Sequence, residues 1–167
     1  MGQIIPRNEG VNMKIGFDLD GVLCNIDVAT LHLIVNTTPE DARCSTEEWY
    51  YRERKPLLDA RLLLSKDDEF YIITSRPERL QEITKLWVKH YYPQARLYFV
   101  SQESLRPDEN NNESIKNWCF NKVQLKAQKI NELGIDVFFD DEAEAFEEFR
   151  KLCPNCKIIK YGGRLEL

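Results

Sequence analysis

The sequence predicts an α/β fold: a Rossmann-like, five-stranded parallel sheet flanked by helices. Three features predict it. Five short runs of apolar, largely β-branched or aromatic residues recur along the chain, segments with apolar residues at helical spacing lie between them, and every run is bounded by polar loops. Strands buried on both faces read as such unbroken apolar runs. Their alternation with helices implies parallel pairing through right-handed crossovers, with ligands at the carboxyl ends of the strands.

Met1–Asn12 is polar, carries Pro6 and Gly10 and has no periodicity, so residues 1–12 are expected to form a tail ahead of one domain over 13–167. The first strand is Lys14–Asp18. From there to the second strand, Phe70–Thr74, the chain is longer than one crossover helix needs, and Ile26–Asn36, Thr46–Lys55 and Leu57–Ser65 all carry helical patterns. The expectation is a small helical cap inserted over about 24–55, standing over the strand ends, and a helix from near Leu57 that returns to the sheet. Arg79–Tyr92 then sets Leu80, Ile83, Leu86 or Trp87, and His90 at three-to-four spacing before Pro93. The third strand is Arg96–Val100, and Asn110–Asn112, within Pro107–Ser114, reads as an exposed loop. Asn121–Leu133 aligns Val123, Ala127 and Ile130 and stops at Gly134. The fourth strand, Asp136–Asp140, a helix over Glu142–Leu152 and the fifth strand, Lys157–Tyr161, complete the alternation.

Composition narrows the function classes. A chain of 167 residues buries about two-thirds of its unfolded surface, so it needs neither disulfides nor metal to fold. Its 23 basic and 28 acidic residues leave a net charge of −5, without the basic excess of a protein that wraps duplex nucleic acid. No apolar run approaches the roughly 20 residues that span a bilayer, so no membrane partner is expected. Cys24, Cys44, Cys119, Cys153 and Cys156 are odd in number and scattered, as in a reduced cytoplasmic protein.

The strand ends carry the chemistry. After the first strand comes Asp18-Leu19-Asp20-Gly21-Val22. Two carboxylates at i and i+2 share one face of an extended strand and repel, so a cation, a shared proton or a basic neighbour has to offset them. Asp-x-Asp-Gly also fits a plain turn; a calcium loop would continue with further oxygen ligands, where Leu23, Cys24 and Ile26 stand instead. After the second strand, Thr74-Ser75-Arg76-Pro77 offers a hydroxyl and backbone N–H groups to an oxyanion, or a helix N-cap. After the fourth, Asp140-Asp141-Glu142 puts consecutive acids where they meet a cation or open a helix. On the preceding helix, Lys126 lies at the boundary of the buried stripe, with Lys122 and Lys129 farther out.

Taken together, these motifs resemble the haloacid-dehalogenase-like (HAD) phosphatase superfamily. Phe17–Leu23 is similar to its first motif, Ile72–Ser75 to its second and Val137–Asp141 to its fourth; the third motif is a lysine at variable spacing, which Lys126 fits best and Lys122 next. The resemblance implies strand order 5-4-1-2-3 and an Mg²⁺-dependent phosphomonoester hydrolase acting through an aspartyl-phosphate. By it, Asp18 is the nucleophile and Asp20 the general acid and base. Thr74, Ser75 and Lys126 hold the phosphoryl oxygens. Asp18, the Asp20 carbonyl and one or both of Asp140 and Asp141 hold the metal. An acid two residues after the nucleophile implies phosphate-ester hydrolysis.

Insertions after the first motif select the substrate in this superfamily. A short cap and a Thr-Ser second motif resemble the 5′(3′)-deoxyribonucleotidase branch, which implies a small phosphorylated substrate, first of all a nucleoside monophosphate. In the cap, Trp49, Tyr50 and Tyr51 beside Arg52, Arg54 and Lys55 suit either a base and phosphate or an ordinary amphipathic helix. The rival functions are a non-catalytic regulatory or partner-binding domain of the same fold, and a phosphatase of nucleic-acid ends, which the acidic composition disfavours. Cys153-Pro154-Asn155-Cys156 has no second ligand pair and reads as an incidental pair at a turn.

Overall fold

The computed structural model describes residues 11–57, 60–101, 111–142 and 146–161. Five strands, β1 (Lys14–Phe17), β2 (Glu69–Thr74), β3 (Arg96–Phe99), β4 (Val137–Asp140) and β5 (Lys157–Lys160), form one parallel sheet in the order β3-β2-β1-β4-β5. This is the expected five-stranded α/β architecture and strand order, and each strand begins and ends within a residue of its apolar run.

Side-chain alternation explains the layering. Ile15, Phe17, Phe70, Ile72, Val137, Phe139 and Ile159 face one side, where Trp87 and Val88 of α3 (Gln81–Tyr91) cover them. Tyr71, Ile73, Phe138 and Ile158 face the other, beneath Val123, Ala127 and Ile130 of α4 (Asn112–Leu133) and Phe149 of α5 (Phe146–Leu152). Every strand of the sheet's centre is thus apolar on both faces, as a covered parallel sheet requires. Of the two residues that competed for the inner face of α3, Trp87 is buried and Leu86 lies 68% exposed; His90 is exposed as well. α4 stops where expected: Gly134 takes φ 64°, a conformation that costs glycine nothing, and its N–H returns to the Ile130 and Asn131 carbonyls.

Between β1 and β2 the chain forms α1 (Val28–Thr37) and α2 (Arg43–Arg52). Tyr50 fastens them together: its buried hydroxyl accepts from the Asp27 N–H at 2.8 Å and donates to the Asp27 carbonyl at 2.9 Å. α2 ends three residues before Lys55, because a residue preceding proline disfavours helical geometry. Lys55–Leu57 runs extended instead, with Asn25 N–H on the Lys55 carbonyl and Leu57 N–H on the Leu23 carbonyl.

Three expectations are corrected. No helix spans Leu57–Ser65: of its described residues, Ala60–Leu62 forms one 3-10 turn, and the Asp68 carboxylate fixes the approach to β2 by accepting from Ser65 N–H and Met13 N–H. α4 begins at Asn112, nine residues before Asn121, because Asn111 caps it by accepting from the Glu113 and Ser114 N–H groups; the end of the expected Asn-rich loop is therefore a helix start. Of the described residues α5 covers Phe146–Leu152, and Glu142, whose N–H the Asp140 carboxylate accepts, is loop; residues 143–145 lie outside the described residues. Much of the expected tail, residues 1–10, and part of the Pro107–Ser114 loop lie outside the described residues. Among the described residues, no helix is long and apolar enough to cross a membrane.

Candidate active site

The carboxyl ends of β1, β2 and β4 meet along one edge of the sheet. Asp18 follows β1 directly, and its N–H extends the β1–β4 ladder by bonding the Phe139 carbonyl at 2.8 Å. Its side chain, only 6% exposed, accepts from the Leu19 N–H at 2.8 Å. The chain then coils tightly: the Leu23 and Cys24 N–H groups both bond the Leu19 carbonyl, and Gly21 donates to the Cys24 carbonyl. Gly21 adopts φ 81°, and a Cβ on it would lie 1.9 Å from Asp141 Oδ2. Only glycine lets this turn lie against the acid at the end of β4.

Asp140 is fully buried at the end of β4, and Asp141 is partly buried beside it. α4 drops Lys126, 2% exposed, between the two strand ends, with Nζ 3.0 Å from Asp18 Oδ2 and 3.0 Å from Asp140 Oδ2. Carboxylate oxygens of Asp18, Asp140 and Asp141 all lie within 4.8 Å of one another. Burial pushes the Asp18 carboxyl up to about 8, against the pull of Lys126 and with the help of Asp140 and Asp20. Asp141 is pushed up to about 6, by burial first and Asp140 next. Burial opposes the charge on Lys126, but Asp18 and Asp140 outweigh it and hold the ammonium well above the ordinary lysine range. Three acids thus share one cation. Hard oxygen donors with an excess of negative charge are what a divalent ion such as Mg²⁺ binds, so the residues present fit such an ion.

Asp20 turns the other way, onto Arg76. The guanidinium donates from Nε to both carboxylate oxygens at 3.1 and 3.0 Å and from Nη2 to Oδ1 at 2.5 Å. Arg76 is itself 3% exposed; Nη1 bonds Thr84 Oγ1 at 3.1 Å, Nη2 reaches Cys24 Sγ at 3.2 Å, and the ring of Tyr51 lies 4.4 Å from the guanidinium carbon. Burial opposes its charge and Asp20 restores it, so its pKa rises further above the arginine range. The sequence pattern set Arg76 beside Thr74 and Ser75 without assigning it a role. The available signal was a cation at a strand end opposite an unneutralised Asp-x-Asp pair.

Thr74 is buried, and its Oγ1 accepts from the Arg76 N–H at 3.2 Å, which leaves the hydroxyl proton to donate elsewhere. Ser75 is half-buried next to it. Of the two candidate lysines, Lys126 meets Asp18, whereas Lys122 pairs with Glu142 at 3.3 Å. In α2, Tyr50 is fully buried, Tyr51 is half-buried with Arg76 over its ring, and Trp49 is 51% exposed. Cys153 and Cys156 are buried and unpaired, and the Cys156 N–H closes a turn on the Cys153 carbonyl.

No family model and no curated protein matches the chain. Solved structures do. A chain from the Pnkp1/Rnl/Hen1 RNA repair complex is similar with a TM-score of 0.58 and 13% identity, over 97% of this chain and 47% of that one. A chain from another structure of the Pnkp1/Rnl/Hen1 complex gives 0.53 and 14%, over 97% and 50%. This chain therefore spans about half the length of those neighbours. At such identity the likeness establishes a shared fold, which is the parallel α/β sheet that carries the acids described above.

Proposed function

We propose that this protein is a HAD-type phosphomonoester hydrolase that works through an aspartyl-phosphate and requires Mg²⁺. The observation that carries the reading is the convergence of Asp18, Asp140, Asp141 and Lys126 from three separated stretches of chain onto one buried point. Asp18, Asp140 and Asp141 hold the ion, which supplies charge neutralisation for the transferring phosphoryl group.

The residues divide the work. An oxygen of the Asp18 carboxylate attacks phosphorus in line, and the ester P–O bond breaks with its electron pair on the leaving oxygen. Asp20, oriented by Arg76, gives that oxygen a proton. Water then attacks the phosphorus of the aspartyl-phosphate, Asp20 takes the water's proton, and Asp18 is regenerated with release of inorganic phosphate. Thr74 and Ser75 donate to the phosphoryl oxygens, and Lys126 offsets their charge from the α4 side. The substrate is a small phosphorylated compound, first of all a nucleoside monophosphate. Five unpaired cysteines fit a reducing, cytoplasmic setting.

Hydrolysis of p-nitrophenyl phosphate with Mg²⁺, with EDTA, and by Asp18→Asn tests the reading. Mg²⁺-dependent turnover that disappears in Asp18→Asn, with an unchanged circular dichroism spectrum, is the expected outcome. Residual turnover by clean Asp18→Asn protein removes the covalent mechanism. A second reading, a phosphatase of nucleic-acid ends, draws on the likeness to chains of an RNA repair complex. Faster release of phosphate from oligonucleotide ends than from mononucleotides would favour it.

A further inference from the structure

α4 is longer than the sheet needs. It runs antiparallel to the strands, entering β4 through Gly134, and Lys126 is already level with the end of β4, where it meets Asp140. The 14 residues from Lys126 back to Asn112 rise about 21 Å, on the side of the sheet where the acids lie. The buried residues of α4 are Val123, Lys126, Ala127 and Ile130, so among the described residues its first three turns add no side chain to the buried core. A helix that overhangs in this way stands as a wall beside the site.

The face of the wall is set by the residue that defines the site. Counting back from Lys126 in steps of four, four and three reaches Lys122, Trp118 and Ile115, which therefore share its side of the helix. All three are half-buried, as are Ser114 and Asn121, while Lys116, Asn117, Cys119 and Phe120 around them are exposed. Contacts follow the same line: Lys122 Nζ is 3.3 Å from Glu142 Oε1, two residues beyond Asp140, and 4.4 Å from the centre of the Trp118 ring. A stripe of phosphate-site lysine, rim lysine and indole thus leads outward from the acids. Eight residues separate Lys126 from Trp118, about 12 Å along the axis, which leaves room for a sugar between a phosphate at Lys126 and a ring at Trp118.

We infer that this stripe of α4 is the substrate-selecting surface, with Trp118 stacking the base of a nucleoside monophosphate and Lys122 lining the path of its ribose. The inference rests on the phosphatase reading above and adds the part of the molecule that recognises the leaving group. An indole is the largest stacking platform among side chains, and stacking tolerates every base. Of the α2 aromatics Tyr50 is fully buried and Trp49 is 51% exposed; Tyr51 and Trp118 each carry a cation 4.4 Å from the ring centre, and Trp118 is the one that shares a helix face with the phosphate-site lysine.

The test uses the full chain with Mg²⁺. Acetyl phosphate, which has nothing to stack, serves as reference. Trp118→Ala should lower the ratio of kcat/KM for adenosine 5′-monophosphate to that for acetyl phosphate by about ten- to a hundredfold, mainly through KM, and Trp118→Phe should keep most of it. In calorimetry, Asp18→Asn protein should bind adenosine 5′-monophosphate, and adding Trp118→Ala should weaken that binding by a similar factor. An unchanged ratio, an equal loss on both substrates, or no binding of the nucleotide by Asp18→Asn overturns the inference. So does an oligonucleotide 3′-phosphate whose turnover alone depends on Trp118. If the wild type hydrolyses neither compound yet binds the nucleotide through Trp118, the phosphatase reading falls and the stacking surface stands.

Discussion

A methyl group at position 21 would lie 1.9 Å from Asp141 Oδ2, in a backbone conformation with φ 81°. Gly21→Ala therefore has to unwind the turn after Asp20 or push Asp141 away, and either change pulls apart the acids that are to share an ion. The left-handed conformation costs alanine about 1–2 kcal/mol; the larger expected effect is a Mg²⁺ requirement shifted upward at least about tenfold, in the range that lost outer support of metal ligands produces. A Mg²⁺ titration of the hydrolysis rate measures it. Arg76 works through geometry in another way. Its fork engages both oxygens of Asp20, and lysine supplies the charge without the fork. Arg76→Lys should lower kcat by about 10- to 100-fold, less than the roughly 100- to 10,000-fold that an acid–base group itself contributes, while moving KM less; steady-state kinetics separate the two. Gly21 read as a turn residue, and Arg76 carried no assigned role although a basic neighbour was one way to offset the Asp-x-Asp pair; what makes each matter is a contact with a residue far along the chain.

At the level of elements, the strands were legible and the helix ends were not. Each strand is four to six residues with a β-branched or aromatic centre between polar loops, and burial on both faces of β1, β2 and β4 leaves those three little freedom to be misplaced. Helix boundaries depend on single hydrogen bonds. Asn111 looked like loop because asparagine favours turns, and the same property makes it the cap from which α4 starts. Leu57–Ser65 carries a helical pattern, but the Asp68 carboxylate accepts from the Ser65 N–H and claims the backbone for a turn. The α1–α2 pair hangs together in a similarly local way, through the Tyr50 hydroxyl between the Asp27 N–H and carbonyl. Tyr50→Phe removes both of these bonds, although the Asp27 carbonyl still accepts from the Leu31 N–H, and should cost about 1–2 kcal/mol. Thermal unfolding measures the loss. Because the Tyr50 hydroxyl bonds Asp27 rather than any of the site's acids, kcat for a small ester should hold.

For the whole molecule, the strand order decides that there is a site at all. With β1 between β2 and β4, Asp18 has Thr74 and Arg76 on one side and Asp140 and Asp141 on the other. The spacing of motifs along the chain cannot supply that order, which the sequence carried only through its resemblance to a phosphatase family. The same convergence concentrates charge. Asp18 and Asp141 keep protons up to about 8 and about 6, well above the ordinary carboxyl range. Between about pH 4 and those values the folded protein holds protons that the unfolded chain has released, so their contribution to stability is full in acid and fades as the pH rises through 6 and 8. A divalent ion bound by the same oxygens has to displace those protons, and so binds better as the pH rises. In EDTA the melting temperature should therefore carry a destabilising contribution from the site above neutrality. Mg²⁺ at about a hundred times its dissociation constant stabilises the folded state by about 2.7 kcal/mol, which for a chain of this size raises the melting temperature by about 5–10 °C. Scanning calorimetry at about pH 5 and about pH 8, with EDTA and with Mg²⁺, should show that rise at the higher pH and little of it at the lower. Asp140→Asn, which removes one of the three acids while leaving Lys126 its bond to Asp18, should shrink the Mg²⁺-dependent rise at the higher pH; an equal rise in wild type and variant would mean that the ion binds elsewhere.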